Sequence, residues 1–192
     1  MKKNKINYVG IIGCVILYAV TLFASAFIGF LSPWCWIVLF PMLAAVLGAP
    51  TYLWVASRWQ RFGVATVFAL VLAAVLLPMG EIDYLQAVLM VAAGVISDVV
   101  RHVLGNNQKT SVFIAYPILP LGILAWLMKL WTNSEWYYNG AAEEIGTDYA
   151  EGLKTLSSTS SLIMVIFLVL VAGYIAIRIA AAKMKSGKNL VN

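Results

Sequence analysis

The chain has 192 residues, of which 62% are hydrophobic and 11% charged, with a formal net charge of +5. A soluble domain of this length is roughly half apolar and about a quarter charged, so a water-surrounded fold is excluded and lipid is the solvent. The positive charges sit in short flanks of apolar runs, which is a membrane pattern and excludes nucleic acid as the expected partner.

A spanning helix needs about 20 mostly apolar residues. On that measure residues 1–192 read as one all-α integral membrane domain with six transmembrane helices. The first runs from about Tyr8 to Leu31, after the basic start Lys2, Lys3, Lys5, and ends at Pro33 and Trp34. It is too long for the h-region of a secretory signal, and no small-x-small site follows it. The second runs from about Trp36 to Ser57, with Pro41 and Pro50 inside it, and the basic turn Arg58 to Arg61 follows. Prolines are tolerated in spans and imply bends. The third runs from about Phe62 to Leu77 and stops at Pro78-Met79-Gly80; it is short for a span. The fourth runs from about Tyr84 to Leu104, the fifth from about Ser111 to Trp131 with Pro117 and Pro120, and the sixth from about Ser161 to Ala182. The two cysteines, Cys14 and Cys35, fall at opposite ends of the first span, roughly 30 Å apart at ~1.5 Å per residue, and form no bridge.

Charge sets the orientation. With the N-terminus in the cytoplasm, eleven of the thirteen Lys and Arg lie inside, with only Lys129 and Lys154 outside, and every acid except Asp98 lies outside. The positive-inside rule then puts both termini in the cytoplasm and an extracellular loop between helices 5 and 6. That loop, Trp131 to Ser161, is the one long polar segment. It carries Glu135, Glu143, Glu144, Asp148 and Glu151 with two Trp and three Tyr.

Small residues recur four apart at Ala172, Ala176 and Ala180, and at Ala65, Ala69 and Ala73. Such stripes let helices approach closely in lipid, either within the bundle or against another membrane protein. On the fourth span Asp98 faces Arg101 at i,i+3 and His102 at i,i+4. An interfacial ion pair is the expectation, with a proton-relay site as the alternative. No H-E-x-x-H, G-x-S-x-G, Walker loop or Gly-rich dinucleotide turn is present. With one histidine and no cysteine cluster, no metal site is expected. The chain reads as a non-enzyme with no catalytic residues and no cofactor.

Polar and aromatic groups converge on the outer surface: Trp34 and Trp36 in the first turn, Glu81, Asp83 and Tyr84 in the second, Asn133 to Asn139 and the later acids in the third. A solvated loop has no need of a Trp-Tyr-Tyr cluster, whereas a binding pocket uses stacking faces and a few fixed polar groups. The acids favour a ligand with positive or donor groups. The candidate binding residues are Trp34, Glu81, Tyr84, Asn133, Glu135, Trp136, Tyr137 and Tyr138.

The length, six spans, internal termini, basic tail and long outer loop resemble the substrate-binding S component of energy-coupling factor (ECF) transporters. Three stretches are similar to the MptD-like (Trep-Strep) members: P-M-L-A-A-V-L-G-A-P-T-Y-L-W-V at residues 41–55, the turn Arg58 to Gly63, and A-A-G-V-I-S-D-V-V-R-H at residues 92–102 before N-N-Q-K-T-S. The resemblance implies a multi-pass protein of a bacterial cell membrane. It would capture a vitamin-like small nutrient from outside and deliver it by reorienting in the bilayer when coupled to a T subunit and two cytosolic ATPase subunits. Many S components dock the T subunit through an Ala-x-x-x-Ala face on the first span. Here that half-span offers Gly10, Gly13 and Cys14, so Gly10 and Gly13 with Ala172, Ala176 and Ala180 are the docking candidates. The other reading is a non-transporting structural or assembly subunit that binds a protein through its small-residue faces.

Overall fold

The computed structural model describes residues 8–106 and 108–189, the last five by backbone alone. Lys2, Lys3 and Lys5 of the expected basic flank lie outside the described residues, as do the side chains of Lys185 and Lys188. All regular structure among the described residues is helical. Five helical stretches are long and apolar enough to cross a membrane: Tyr8–Leu31, Cys35–Arg58, Tyr84–Val103, Lys109–Leu127 and Thr159–Met184.

The first stretch is α1 (Tyr8–Ala26), which tightens into a 3-10 turn over Phe27–Leu31. After Ser32 the chain re-enters a helix through a π turn at Cys35–Leu39, in which the Phe40 N–H reaches back five residues to the Cys35 carbonyl. Pro41 comes next and lacks the N–H that would restore the ordinary register. The helix α2 (Phe40–Arg58) follows.

The expected third span is α3 (Val64–Leu76), only thirteen residues. At ~1.5 Å per residue it is roughly 20 Å long, against a hydrocarbon layer of about 30 Å. A glycine-led turn ends it: Gly80 has φ +78°, its N–H donates to Leu77 O at 3.1 Å, and the Glu81 N–H donates to Leu76 O at 3.2 Å. These are the two bonds of a Schellman cap. Next is α4 (Tyr84–Val103), whose buried positions Gln86, Met90, Gly94, Ser97, Asp98 and Arg101 form one stripe. Gly94 sits where an added Cβ would lie 2.8 Å from the Ala65 carbonyl oxygen and 2.8 Å from the Ala69 Cβ. The Ala65/Ala69/Ala73 stripe is therefore internal packing between α3 and α4.

The fifth stretch is broken in the middle. α5 (Lys109–Ala115) gives way to a 3-10 segment over Tyr116–Leu121, where Pro117 and Pro120 withdraw two N–H donors, and α6 (Gly122–Leu127) resumes. This segment is the most buried of the spans. Gly173 of α10 (Thr159–Asn189) packs against Pro117.

Three expectations are corrected here. Residues 131–161 are not an extended loop. They fold as the end of α7 (Lys129–Thr132), then α8 (Ser134–Glu144) and α9 (Thr147–Lys154), a helical cap. Tyr149, Ala150 and Leu153 recur at helical spacing, and Ala150 and Leu153 are buried, a pattern hidden by the surrounding acids.

Asp98 does not pair with Arg101 or His102, and neither Asp98 nor Arg101 reaches the protein surface: Asp98 is 1% exposed and Arg101 0%. Asp98 instead receives the N-terminus of α3. It accepts from the Ala65 N–H at 3.0 Å, the Thr66 N–H at 2.8 Å and the Thr66 hydroxyl at 2.7 Å. A carboxylate there satisfies free donors and opposes the positive end of the helix dipole. Arg101 Nη2 donates to the carbonyls of Ala56, Trp59 and Asn106 at 2.9, 3.2 and 3.2 Å.

The Ala172/Ala176/Ala180 stripe faces the chain's own bundle, with Ala176 and Ala180 buried, so as a face for an outside partner it is already occupied. Gly13 is exposed, with open space where a side chain would stand. Gly10 is half-buried.

Candidate functional site: a cavity beneath the helical cap

A cavity of about 640 Å³ lies where the outer ends of α1, α2, α4 and α6 meet the cap formed by α8 and α9. Its floor is aromatic. Trp36 stacks on Phe40 with centroids 5.0 Å apart, and Trp126 meets both edge-on at 5.7 and 5.6 Å. Phe23 closes the group against Trp126. Phe27, Phe30, Trp136 and Tyr149 complete the apolar wall.

Two local motifs set the polar rim. The Schellman cap of α3 presents Glu81 to the cavity. Two residues later Asp83 opens α4 with a capping box: its carboxylate accepts from the Gln86 N–H at 2.9 Å, and Gln86 Oε1 accepts from the Asp83 N–H at 2.9 Å. The Gln86 amide then donates to the carbonyls of Ala125 and Trp126, at 3.0 and 2.9 Å. One side chain thus ties the start of α4 to the carbonyls at the end of α6, and holds Trp126 in place. The hydrogen bond from Gln86 keeps the Asp83 carboxyl below its ordinary range, and Lys129, 3.4 Å away, adds to this.

The cap is tied down twice. Trp36 Nε1 donates to the Tyr137 hydroxyl at 2.6 Å, and the Tyr149 hydroxyl donates to Gly29 O at 2.7 Å. Gly152 of α9 lies directly on Pro33, leaving no room for a side chain. Burial pushes the Tyr137 phenol up to about 12, and the charges of Glu81 and Glu144 push the same way. Burial likewise raises Tyr149. Both stay neutral hydrogen-bonding groups at any physiological pH.

Lys129 is held between the Asp83 carboxylate and the Trp136 face, 4.4 Å from the ring centroid, so its charge is already matched. Glu81 and Glu144 have no ion-pair partner among the described residues. The cavity therefore combines flat aromatic faces with two unmatched carboxylates and neutral phenols, an arrangement suited to a ring-bearing molecule with a positive or donor group.

Of the eight residues expected to bind ligand, three line this cavity: Glu81, Trp136 and Tyr137. The other five lie outside its lining. Trp34 is 52% exposed and Tyr84 80% exposed; Tyr84 lies two residues, about 200° of helix, from the inward-facing Gln86. Asn133 and Glu135 are exposed, on the outer side of the cap. Tyr138 packs against the core, with Lys154 near its ring. The residues missed are Trp126, Gln86, Lys129, Glu144 and Tyr149. Trp126 and Gln86 read as ordinary span residues, and nothing in the sequence marks the end of α6 at Leu127, whose last carbonyls Gln86 bonds. Among the described residues no cluster of His, Cys, Asp and Glu could hold a metal, and Cys14 and Cys35 are both free.

An all-helical chain with five candidate spans and a built cavity at one end is a multi-pass integral membrane protein, and its environment is the lipid bilayer. It belongs to the family described as "Hypothetical bacterial integral membrane protein (Trep_Strep)", which matches residues 7–186. No curated protein and no solved structure matches the chain.

Proposed function

We propose that the chain is the substrate-capture S component of an ECF-type importer, binding a small nutrient in the cavity beneath the α8–α9 cap. The observation that carries this reading is the cavity itself, with its aromatic floor, Glu81 and Glu144 at its rim and a cap fastened by two tyrosine hydroxyls. Its volume of about 640 Å³ is in the range of small-molecule sites. In this reading α3 acts as a short sixth span, both termini are cytoplasmic, and the cap faces outward. The distribution of charge supports that orientation. Arg58, Arg61, Arg101, Lys109, Arg178 and Lys183 gather at one end of the bundle, while seven of the eight acids lie at the capped end. Energy for release would come from a T subunit and two ATPase subunits on other chains, since the sequence carries no nucleotide-binding loop. The protein itself performs no chemistry: it binds, covers and releases.

Ligand biases the cap only through better contacts in the covered state. The substrate class this chemistry favours is a flat ring with an amine or other cationic group. The test is a titration of the purified protein with vitamins, precursors and cofactors, followed by tryptophan emission. A true ligand changes emission saturably and raises thermal stability by mass action. Glu81→Gln weakens a cationic ligand by about 10- to 100-fold, the usual worth of a charge-assisted bond. Saturable binding unaffected by Glu81→Gln, Glu144→Gln and Trp36→Phe alike would place the ligand elsewhere. No binding across a broad panel, together with a stable protein partner, would favour the structural-subunit reading.

A further inference from the structure

At the end of the bundle opposite the cap, a second cleft of about 440 Å³ opens between α2, α5 and α10. Its upper wall is apolar, with Leu53, Val112 and Phe113. Its rim carries Lys109 and Arg178 and no carboxylate. Behind the wall lies Arg101, fully buried, whose Nη2 donates to the carbonyls of two lining residues, Ala56 and Asn106. Its Nε and Nη1 complete no well-formed hydrogen bond, and the buried Tyr52 hydroxyl is the polar group beside them. The one acid of this end among the described residues, Asp98, is committed to the start of α3. A buried cation with an incomplete set of partners is costly, and here its charge adds to that of Lys109 and Arg178.

Asn106 points the same way. Its amide nitrogen, Nδ2, lies 3.0 Å from His102 Nδ1, and its Oδ1 is buried without a partner. Turning the amide over lets Oδ1 accept from a His102 Nδ1–H and puts an unpaired NH2 donor at the buried position. Ile114, Ile175 and Ile179, on two of the helices that form the cleft, are exposed apolar surface, which for a spanning helix means surface facing lipid. An anionic group can therefore reach the rim from the bilayer while its hydrocarbon lies along the apolar wall.

We propose that this cleft binds the phosphate headgroup of an anionic phospholipid, held by Lys109 and Arg178, with its acyl chain along Leu53, Val112 and Phe113. The site is separate from the capped cavity and stands whatever that cavity holds.

The test uses the full chain, delipidated in a neutral detergent, with native mass spectrometry counting retained phosphatidylglycerol against phosphatidylcholine of the same acyl chains. Each basic group near a membrane surface contributes about 1 kcal/mol toward anionic lipid, a factor of about five. The expected preference for phosphatidylglycerol is therefore roughly 25-fold, and it falls as salt is added. Lys109→Gln and Arg178→Gln each reduce it about fivefold, and the double variant nearly abolishes it. Both side chains are exposed, so melting temperature in lipid-free detergent stays at the wild-type value. Lys154→Gln, at the other end, leaves the preference intact. Equal retention of the two lipids, or a preference that survives the double variant, overturns the proposal. So does inorganic phosphate that displaces phosphatidylglycerol at equal concentration, which would make this a site for a free anion. A dimer that dissolves in the double variant would make a second copy the occupant and overturn it likewise.

Discussion

At the scale of single residues, the Trp36–Tyr137 bond is the most exposed to test. Tyr137→Phe removes the acceptor of a partly buried indole N–H and leaves that donor unpaired, which costs about 1–3 kcal/mol. Trp36→Phe removes the donor as well, so the double variant should cost less than the sum of the two singles. Thermal unfolding of the four proteins in detergent measures that coupling, and strict additivity would mean the bond contributes nothing. Asp83 offers a pH test. Its carboxyl is held below its ordinary range, chiefly by the Gln86 N–H, so its folded value lies below its unfolded one. The stability it adds is present above the unfolded value and is lost as pH falls through the folded one. The side chain is about half exposed, so the effect is modest. Asp83→Asn should melt lower than wild type near neutrality, and the gap should close as pH falls below about 4. A gap independent of pH would mean the carboxylate charge is irrelevant to the cap.

At the scale of elements, the contact of α3 with α4 depends on Gly94. A methyl group there meets the Ala65 carbonyl oxygen and the Ala69 Cβ at 2.8 Å each, so backbone must move. Alanine would otherwise favour the helix by about 1 kcal/mol over glycine. The clash outweighs that gain, since overpacking costs about 1–3 kcal/mol. Gly94→Ala should lower the melting temperature and Gly94→Leu should prevent folding, whereas Gly13→Ala, in open space on α1, should raise the melting temperature slightly. A melting temperature for Gly94→Ala at or above wild type would refute the close approach. These elements also mark how far sequence reaches. The spans were legible because twenty apolar residues have no other use at that length, and the acidic end was legible because charge is written directly in the letters. The helicity of residues 134–154 was not, because α8 and α9 are short and polar and owe their form to what they cover. Nor was the partner of Asp98: the nearest cations on its own helix looked like its mates, whereas the donors it meets are 32 and 33 residues away in the chain. Trp126 and Gln86 were illegible for the same reason, since Gln86 bonds the Ala125 and Trp126 carbonyls where α6 ends, 39 and 40 residues away in the chain.

At the scale of the whole molecule, the two ends are built for different degrees of movement. The spans interlock through small residues and buried rings, with Tyr18, Phe68, Tyr52 and Tyr116 in successive contact at the centre. The cap sits on that bundle through fewer contacts: the bonds of Trp36 to Tyr137 and Tyr149 to Gly29, Gly152 on Pro33, and the apolar side chains that α8 and α9 turn inward, chiefly Leu153 and Tyr138. Segments held by few contacts open at the lowest free energy, so the cap is the part that can lift while the floor stays fixed. The contact of Gly152 with Pro33 allows a direct test. A Cβ built on Gly152 lies 3.4 Å from the Pro33 Cβ, just under the roughly 3.5–4.5 Å a disulfide spans, so a small shift of the turn closes the bond. In a background with Cys14→Ala and Cys35→Ala, the pair Pro33→Cys and Gly152→Cys should close on mild oxidation and fasten α9 to the turn after α1. If ligand enters by lifting of the cap, the oxidised protein binds at least tenfold more slowly and a reductant restores the rate. The affinity measured at long times changes much less, because the closed cavity itself is unaltered. Equal association rates in the oxidised and reduced protein would mean that ligand enters between the spans, and that the cap is a fixed wall.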